Sequence, residues 1–209
     1  SPLSSSSAAS DVYKRQVVAD GAGGHASGEV ASGMIVEALS RLPADLSASE
    51  LLSGIRVTIT QVHDALRAEA ARRGGDVMIA STFVGLMIRD RHFACLWAGD
   101  SRAYLLRGGV LQQITRDHSL VQELVDAGTL RPEDAEKHPH ANVITRAVGA
   151  DEEVLELDKV IGQIQPGDRF LLCSDGLSKT LSEPEIQSLL GAPEGVPPTE
   201  LLIHAALAH

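Results

Sequence analysis

Three aspartates stand at the ends of apolar runs, each beside a glycine or a turn: Asp20 in VVADG, Asp117 in ITRDH and Asp175 in LLCSDG. A carboxylate at a strand end is held by the rigid sheet, and a neighbouring glycine lets backbone, metal ion or substrate come close. Aspartate before glycine is also a common turn residue, and for any one of the three taken alone that plain reading is the default. Two copies of strand-Asp-Gly are more suggestive, although spacing alone does not show that they converge. If they do, carboxylates and carbonyls without a cysteine or histidine cluster form a hard oxygen donor set, which favours magnesium or manganese over zinc. Two such ions can share a bridging water, lower its pKa and clamp a phosphoryl group for in-line attack. No GxSxG elbow, reactive-cysteine loop or P-loop lysine supplies a different mechanism.

The elements that must hold these residues follow from the apolar periods. Residues 17–19 form a short apolar strand running into Asp20-Gly21, and Val30, Met34 and Ala38 repeat every four residues in the helix after it. A second helix opens on the capping box Ser47 and Glu50 and closes at Gly74-Gly75. Between them Leu52, Ile55, Ile59, Val62 and Leu66 mark one apolar face. From residue 81 the period changes. Residues 82–88, 92–98, 103–106 and 110–114 read as four short strands with tight turns, an antiparallel meander. A helix over 120–127 ends at Gly128, and residues 129–142 read as an exposed loop with a helical turn. Residues 154–160 and 169–173 are strands; Ser182 with Glu185 opens a short helix, and Thr199 caps a last one. Helices and strands come in blocks, which argues for an α+β fold of antiparallel sheets covered by helices over a doubly wound parallel sheet.

Composition narrows the function classes. The chain has 209 residues, enough for one domain with a real core, and only 3% aromatics, so that core is built from Val, Ile, Leu and Ala. A net charge of −10 gives no footprint for nucleic acid or anionic lipid. Cys95 and Cys173 each sit inside an apolar run and read as buried free thiols, which points to a reducing compartment. No apolar run reaches the ~18 residues of a membrane span, and the serine-rich start lacks the apolar middle of a signal peptide. The expectation is a cytoplasmic protein. Residues 1–16 differ in composition from the rest and are set aside as a non-native or disordered leader, leaving 17–209 as the domain.

In chain order, VVADGAGGHASGEVAS, AGDSRAYLLRGG, ITRDHSLVQELVDAG, NVITRAVGAD and FLLCSDGLSKTLS resemble the successive motifs of the metal-dependent PPM (type 2C) serine/threonine phosphatases, bacterial branch. The resemblance implies a four-layer α-β-β-α sandwich, two packed antiparallel sheets with helices on both outer faces and the metal site at one end. It implies that Asp20 bridges two Mg2+ or Mn2+ ions, that the Gly21 carbonyl binds one, and that Asp175 binds the other. Asp20 and Asp175 would thereby hold the catalytic water, and Asp117 with Asp175 matches ligands of a third, weaker ion. Asp100 and Arg102 of GDSR are expected to shape a turn below the site, and residues 129–142 correspond to a variable flap. His138 and His140 are expected to be surface residues of that flap. The implied substrates are phosphoserine and phosphothreonine in proteins, opposing a bacterial Ser/Thr kinase, with the enzyme a monomer. The ACLWAGDSRAYLLR and HPHANVITRAVG stretches also resemble phosphatases linked to bacterial secretion systems.

The sequence departs from the family pattern in three places. Ala22 stands where eukaryotic members commonly carry a histidine, and His25 is three residues too late to replace it. The opening motif with its phosphate-binding arginine has no counterpart in the leader, and Arg15 is a poor substitute. The late Asp-Asn metal motif does not occur before His209. The expectation is a domain incomplete at both ends, with a weakened site relative to the whole protein. Two rivals remain. One is a non-catalytic regulatory or binding module on the same fold, for which Asp20 and Asp175 would be dispensable. The other is a nucleotide cradle at residues 21–28, which misses the GxGxxG spacing because its third glycine would fall at Ala26.

Overall fold

The computed structural model describes residues 14–22, 25–74, 77–89, 91–150, 153–193 and 197–208. In chain order the elements are β1 (Lys14–Val18), β2 (Gly21–Ala22), α1 (His25–Ser40), α2 (Ala48–Arg72), β3 (Ala80–Ser81), β4 (Phe83–Arg89), β5 (His92–Ala98), β6 (Arg102–Arg107), β7 (Val110–Gln113), α3 (Leu120–Asp126), a 3-10 turn (Pro132–Lys137), β8 (Asp158–Gln163), β9 (Arg169–Cys173), α4 (Asp175–Ser178), α5 (Glu183–Leu190) and α6 (Pro198–Ala208).

The apolar runs are nearly continuous because both faces of the main strands are covered. In β4 and β5, Phe83, Met87, Ala94, Leu96 and Ala98 pack with Ile35, Ile55, Ile59 and Leu66 of α1 and α2. The alternate residues Val84, Leu86, Phe93, Cys95 and Trp97 face Ala103, Phe170 and Leu172 of β6 and β9. On the far side of those two strands, Tyr104, Leu106, Leu171 and Cys173 pack with Ile186, Leu190 and Leu202 of α5 and α6. Period-2 alternation on two sheets thus yields four layers: helices, sheet β1-β4-β5-β8, sheet β7-β6-β9, helices. All strand pairings are antiparallel, and the small β2-β3 ladder sits beside α1.

Several local expectations hold. Ser47 and Glu50 cap α2 reciprocally at 2.8 and 3.3 Å, Ser182 and Glu185 do the same for α5, and the loop after α3 carries the 3-10 turn. Burial lifts the Cys95 thiol to about 12 and the Cys173 thiol to about 11, so both are inert side chains within the core.

Others are corrected. Residues 82–114 are not one meander: β4-β5 and β6-β7 belong to different sheets, because the chain crosses between them at Gly99, where φ is +113°. The α1 face that is buried is Ala31, Ile35 and Leu39, one position along from the expected Val30 series; this helix is apolar on most sides, so period alone does not choose the face. The strand expected at 154–160 begins at Asp158. Thr199 lies inside α6, whose first residue is Pro198, a residue suited to that position. β1 begins at Lys14, three residues inside the segment set aside as a leader, and pairs with β4 from Lys14↔Ile88 to Val18↔Val84. Residues 1–13 lie outside the described residues.

An ion pair joins the ends of the neighbouring strands β6 and β9, and Arg107 Nη2 also donates to the Gln163 carbonyl of β8 in the other sheet at 2.7 Å. Asp168, whose side chain is 1% exposed, accepts bonds from Arg107 Nε at 2.8 Å and Nη2 at 2.7 Å, and from the Gln165 N–H at 2.8 Å. The Arg107 bonds hold its carboxyl below the usual range despite burial. A carboxyl depressed on folding contributes stability above its unfolded value, about 3.9, and that contribution is lost as pH falls through the folded one. Asp168→Asn is therefore expected to lower the urea midpoint at pH 7 and to leave it unchanged once pH is below the folded value.

Candidate metal centre

The loop carrying Asp20 is fixed by its backbone. The Asp20 N–H donates to Thr82 Oγ1 at 3.1 Å, while its carbonyl accepts from the Thr82 N–H at 2.8 Å and Ser81 Oγ at 3.0 Å. Thr82 Oγ1 also shares a 2.7 Å hydrogen bond with Ser101 Oγ, which links the VVADG and GDSR motifs directly. Gly21 then runs hard against the start of α1: a Cβ on Gly21 would lie 2.2 Å from the Gly28 carbonyl carbon and oxygen. Backbone cannot yield there as a side chain would, so Gly21→Ala is expected to cost about 1–3 kcal/mol in a denaturant melt and to push Asp20 out of place.

Asp175 opens α4 at the end of β9, so its carboxylate approaches from the second sheet. The two strand-Asp-Gly motifs do converge. Burial, followed by the charge of Asp175 and a hydrogen bond to its side chain, lifts the Asp20 carboxyl above its ordinary value, against the opposing pull of Lys179. Asp100, 7% exposed in its side chain, joins them: burial and the Asp175 charge raise its carboxyl too. From the sequence, Asp100 is expected only to shape a turn. The signal available was its place right after β5, the same strand-end setting as the other carboxylates.

Asp117, the ligand expected for a third ion, is paired with Arg102 in this structure. Its carboxylate, 10% exposed, accepts from Arg102 Nε at 3.0 Å to both oxygens, from Arg102 Nη2 at 2.7 Å and from Gln113 Nε2 at 3.1 Å. A forked guanidinium meets both carboxylate oxygens at once. The neighbouring residue His118 serves position: Nδ1 accepts from the Gly99 N–H at 3.1 Å, and the ring stacks on Trp97 at 6.3 Å. Burial is the main reason its imidazole is held below the usual value.

Lys179 was not anticipated. Its ammonium donates to Asp175 Oδ2 at 2.7 Å and to Asn142 Oδ1 at 2.9 Å, joining α4 to the loop after the 3-10 turn. Its i,i+4 spacing from Asp175 in SDGLSK was the available clue. His138 and His140 are exposed on that loop, as expected, with ring centroids 5.6 Å apart. Gly23, Gly24 and the side chain of His25 lie outside the described residues. Arg15 sits in β1 opposite Met87, five residues and roughly 16 Å of strand before Asp20.

A cleft of about 430 Å3 opens beside the cluster, lined by Asp100, Arg102, Asp117, His138, Asn142 and Lys179 among others. A second cavity of about 370 Å3, between β4 and α6, is walled mainly by Leu86, Ile88, Leu190 and Leu202 and has none of these carboxylates. Among the described residues no group of three or more His, Cys, Asp and Glu is drawn tightly enough to enclose an ion unaided. The donor set still fits a hard divalent cation. Asp20 and Asp175 are in contact, both are oxygen donors, and their repulsion is what a cation relieves; magnesium in particular is held by one or two carboxylates and completes its shell with water.

A family model described as protein phosphatase 2C matches residues 5–193. The chain is 37% identical over 190 residues to the serine/threonine protein phosphatase PstP of Mycobacterium tuberculosis, covering 91% of this chain and 37% of that protein, so it spans well under half of that relative. The solved structure of PppA, described as a key regulatory component of T6SS in Pseudomonas aeruginosa, superposes with a TM-score of 0.84 at 44% identity, over 95% of this chain and 84% of that one. The catalytic domain of PstP in complex with two manganese ions gives a TM-score of 0.80 at 35% identity, over 95% and 84% of the respective chains. The chain belongs to the protein phosphatase 2C family.

Proposed function

We propose that this chain is the catalytic domain of a metal-dependent protein serine/threonine phosphatase. The observation that carries the reading is the contact of Asp20 and Asp175, brought from separate sheets to one end of the sandwich, with buried Asp100 beside them. Asp20, the Gly21 carbonyl and Asp175 are the ligands in this reading, and two Mg2+ or Mn2+ ions are the complement. Bound ions would supply an acidified water and a clamp for phosphoryl oxygens. The chain's own part is to fix the carboxylates: the Thr82 bonds hold Asp20, α4 aims Asp175, and the cleft under the 132–137 turn receives the phosphorylated segment.

Substrates in this reading are phosphoserine and phosphothreonine proteins made by a bacterial Ser/Thr kinase, and the enzyme acts as a cytoplasmic monomer. No helix among the described residues is long and apolar enough to cross a membrane. The likeness to PppA supports a place among phosphatases that regulate a secretion system. Release of phosphate from a phosphothreonine peptide tests the activity, with this chain and the longer protein assayed in parallel. Turnover that requires manganese and stops with EDTA is the expected result. Its absence from both would favour a non-catalytic module on the same fold.

A further inference from the structure

Lys179 follows Asp175 by one helical turn, and its ammonium points into the carboxylate cluster. As an i,i+4 surface pair with Asp175 it would contribute little. Two further partners set it apart. Nζ lies 3.7 Å from Asp100 Oδ2, on a side chain only 7% exposed, and 2.9 Å from Asn142 Oδ1 on the loop that closes the cleft. An ammonium has three donors around one compact charge, and here it meets oxygens from three separate segments. Carboxylate and amide oxygens gathered in this way are also what a hard divalent ion binds.

We propose that Lys179 is a built-in cation that takes the place of a divalent ion between Asp100 and Asp175, confining metal binding to the Asp20 side of the cluster. The inference rests on Asp20 and Asp175 being metal ligands. Asp100 and Asp175 carry like charges close together, and a cation between them relieves the repulsion. Lys179 does so covalently tethered, at every metal concentration, so no free ion competes effectively for that place. The side chain is 34% exposed, so removing its charge leaves the core intact.

The test counts ions. Manganese is titrated into the protein while the electron paramagnetic resonance signal of free aquated Mn2+ is recorded, for wild type, Lys179→Met and Lys179→Gln. Each variant is expected to bind one more Mn2+ per chain than wild type, and the added Asp100→Asn change is expected to remove that extra ion. An equal count in wild type and both variants overturns the proposal while leaving the metal centre standing. No manganese bound by any form overturns both. Melting curves of the variants without metal establish that each is folded.

Discussion

Asp175→Asn is expected to lower kcat/KM for a phosphothreonine peptide by about 10³-fold or more in the proposed enzyme. Asparagine keeps the shape and one oxygen but removes the negative charge that holds a cation against Asp20. Metal stabilisation of developing charge is worth several kcal/mol, and each ~1.4 kcal/mol is a factor of ten. Stability should move the other way or hardly at all. The Lys179–Asp175 pair is partly exposed, with side chains 34% and 36% accessible, and such pairs contribute about 0–1 kcal/mol. Against that small loss, the substitution relieves the repulsion that lifts the Asp20 and Asp100 carboxyls. The metal-free protein is therefore expected to melt within about 1 kcal/mol of wild type. Steady-state kinetics and a denaturant melt on one preparation separate the two effects; equal activity in mutant and wild type would remove Asp175 from the metal centre.

Arg102→Ala is expected to produce the largest loss of stability, about 3–5 kcal/mol. It leaves Asp117, 10% exposed, with Gln113 as its remaining side-chain donor, and it also strips the 3.1 Å bond from Arg102 to the Tyr104 hydroxyl. Tyr104 is fully buried in the core under α5 and α6, so the effect reaches both the site and the outer helix layer. Removing both partners should cost less than removing one, because the uncompensated charge goes with it. A double-mutant cycle of Arg102→Ala and Asp117→Ala by urea melts measures this, and additive losses would contradict it. Arg102→Lys should fall between, keeping the charge and losing the fork.

Which parts of this molecule the sequence revealed depends on the range of the interactions involved. The α2 cap needs residues three apart, and the buried stripe Ile55, Ile59, Val62 and Leu66 needs one helix, so both were legible. Alternation in β4 and β5 was hidden by burial on both faces, and the split into two sheets comes at Gly99, where φ is +113° and a Cβ would lie 2.7 Å from Thr82. Asp20 and Asp175 stood out because glycine follows each. Asp117 carried the same strand-end look, while its pairing with Arg102, fifteen positions earlier on the neighbouring strand, is visible only in the fold. Asp100 was masked by the opposite effect: its GDSR motif also serves a turn, through Ser101 and Thr82, and that local explanation looked sufficient. The family resemblance supplied the order of the motifs; the three-dimensional pairing of carboxylates with Arg102 and Lys179 required the fold.

In the proposed enzyme, Asp20 and Asp175 jointly hold the catalytic cations. An anomalous difference map, collected at the manganese absorption edge from crystals grown with Mn2+, tests it most directly. Peaks are expected within direct ligation distance of the Asp20 and Asp175 carboxylates, and none on Asp117, which stays with Arg102. Peaks on Asp117 with the Arg102 pair opened, or no peak beside Asp20 and Asp175, would contradict it.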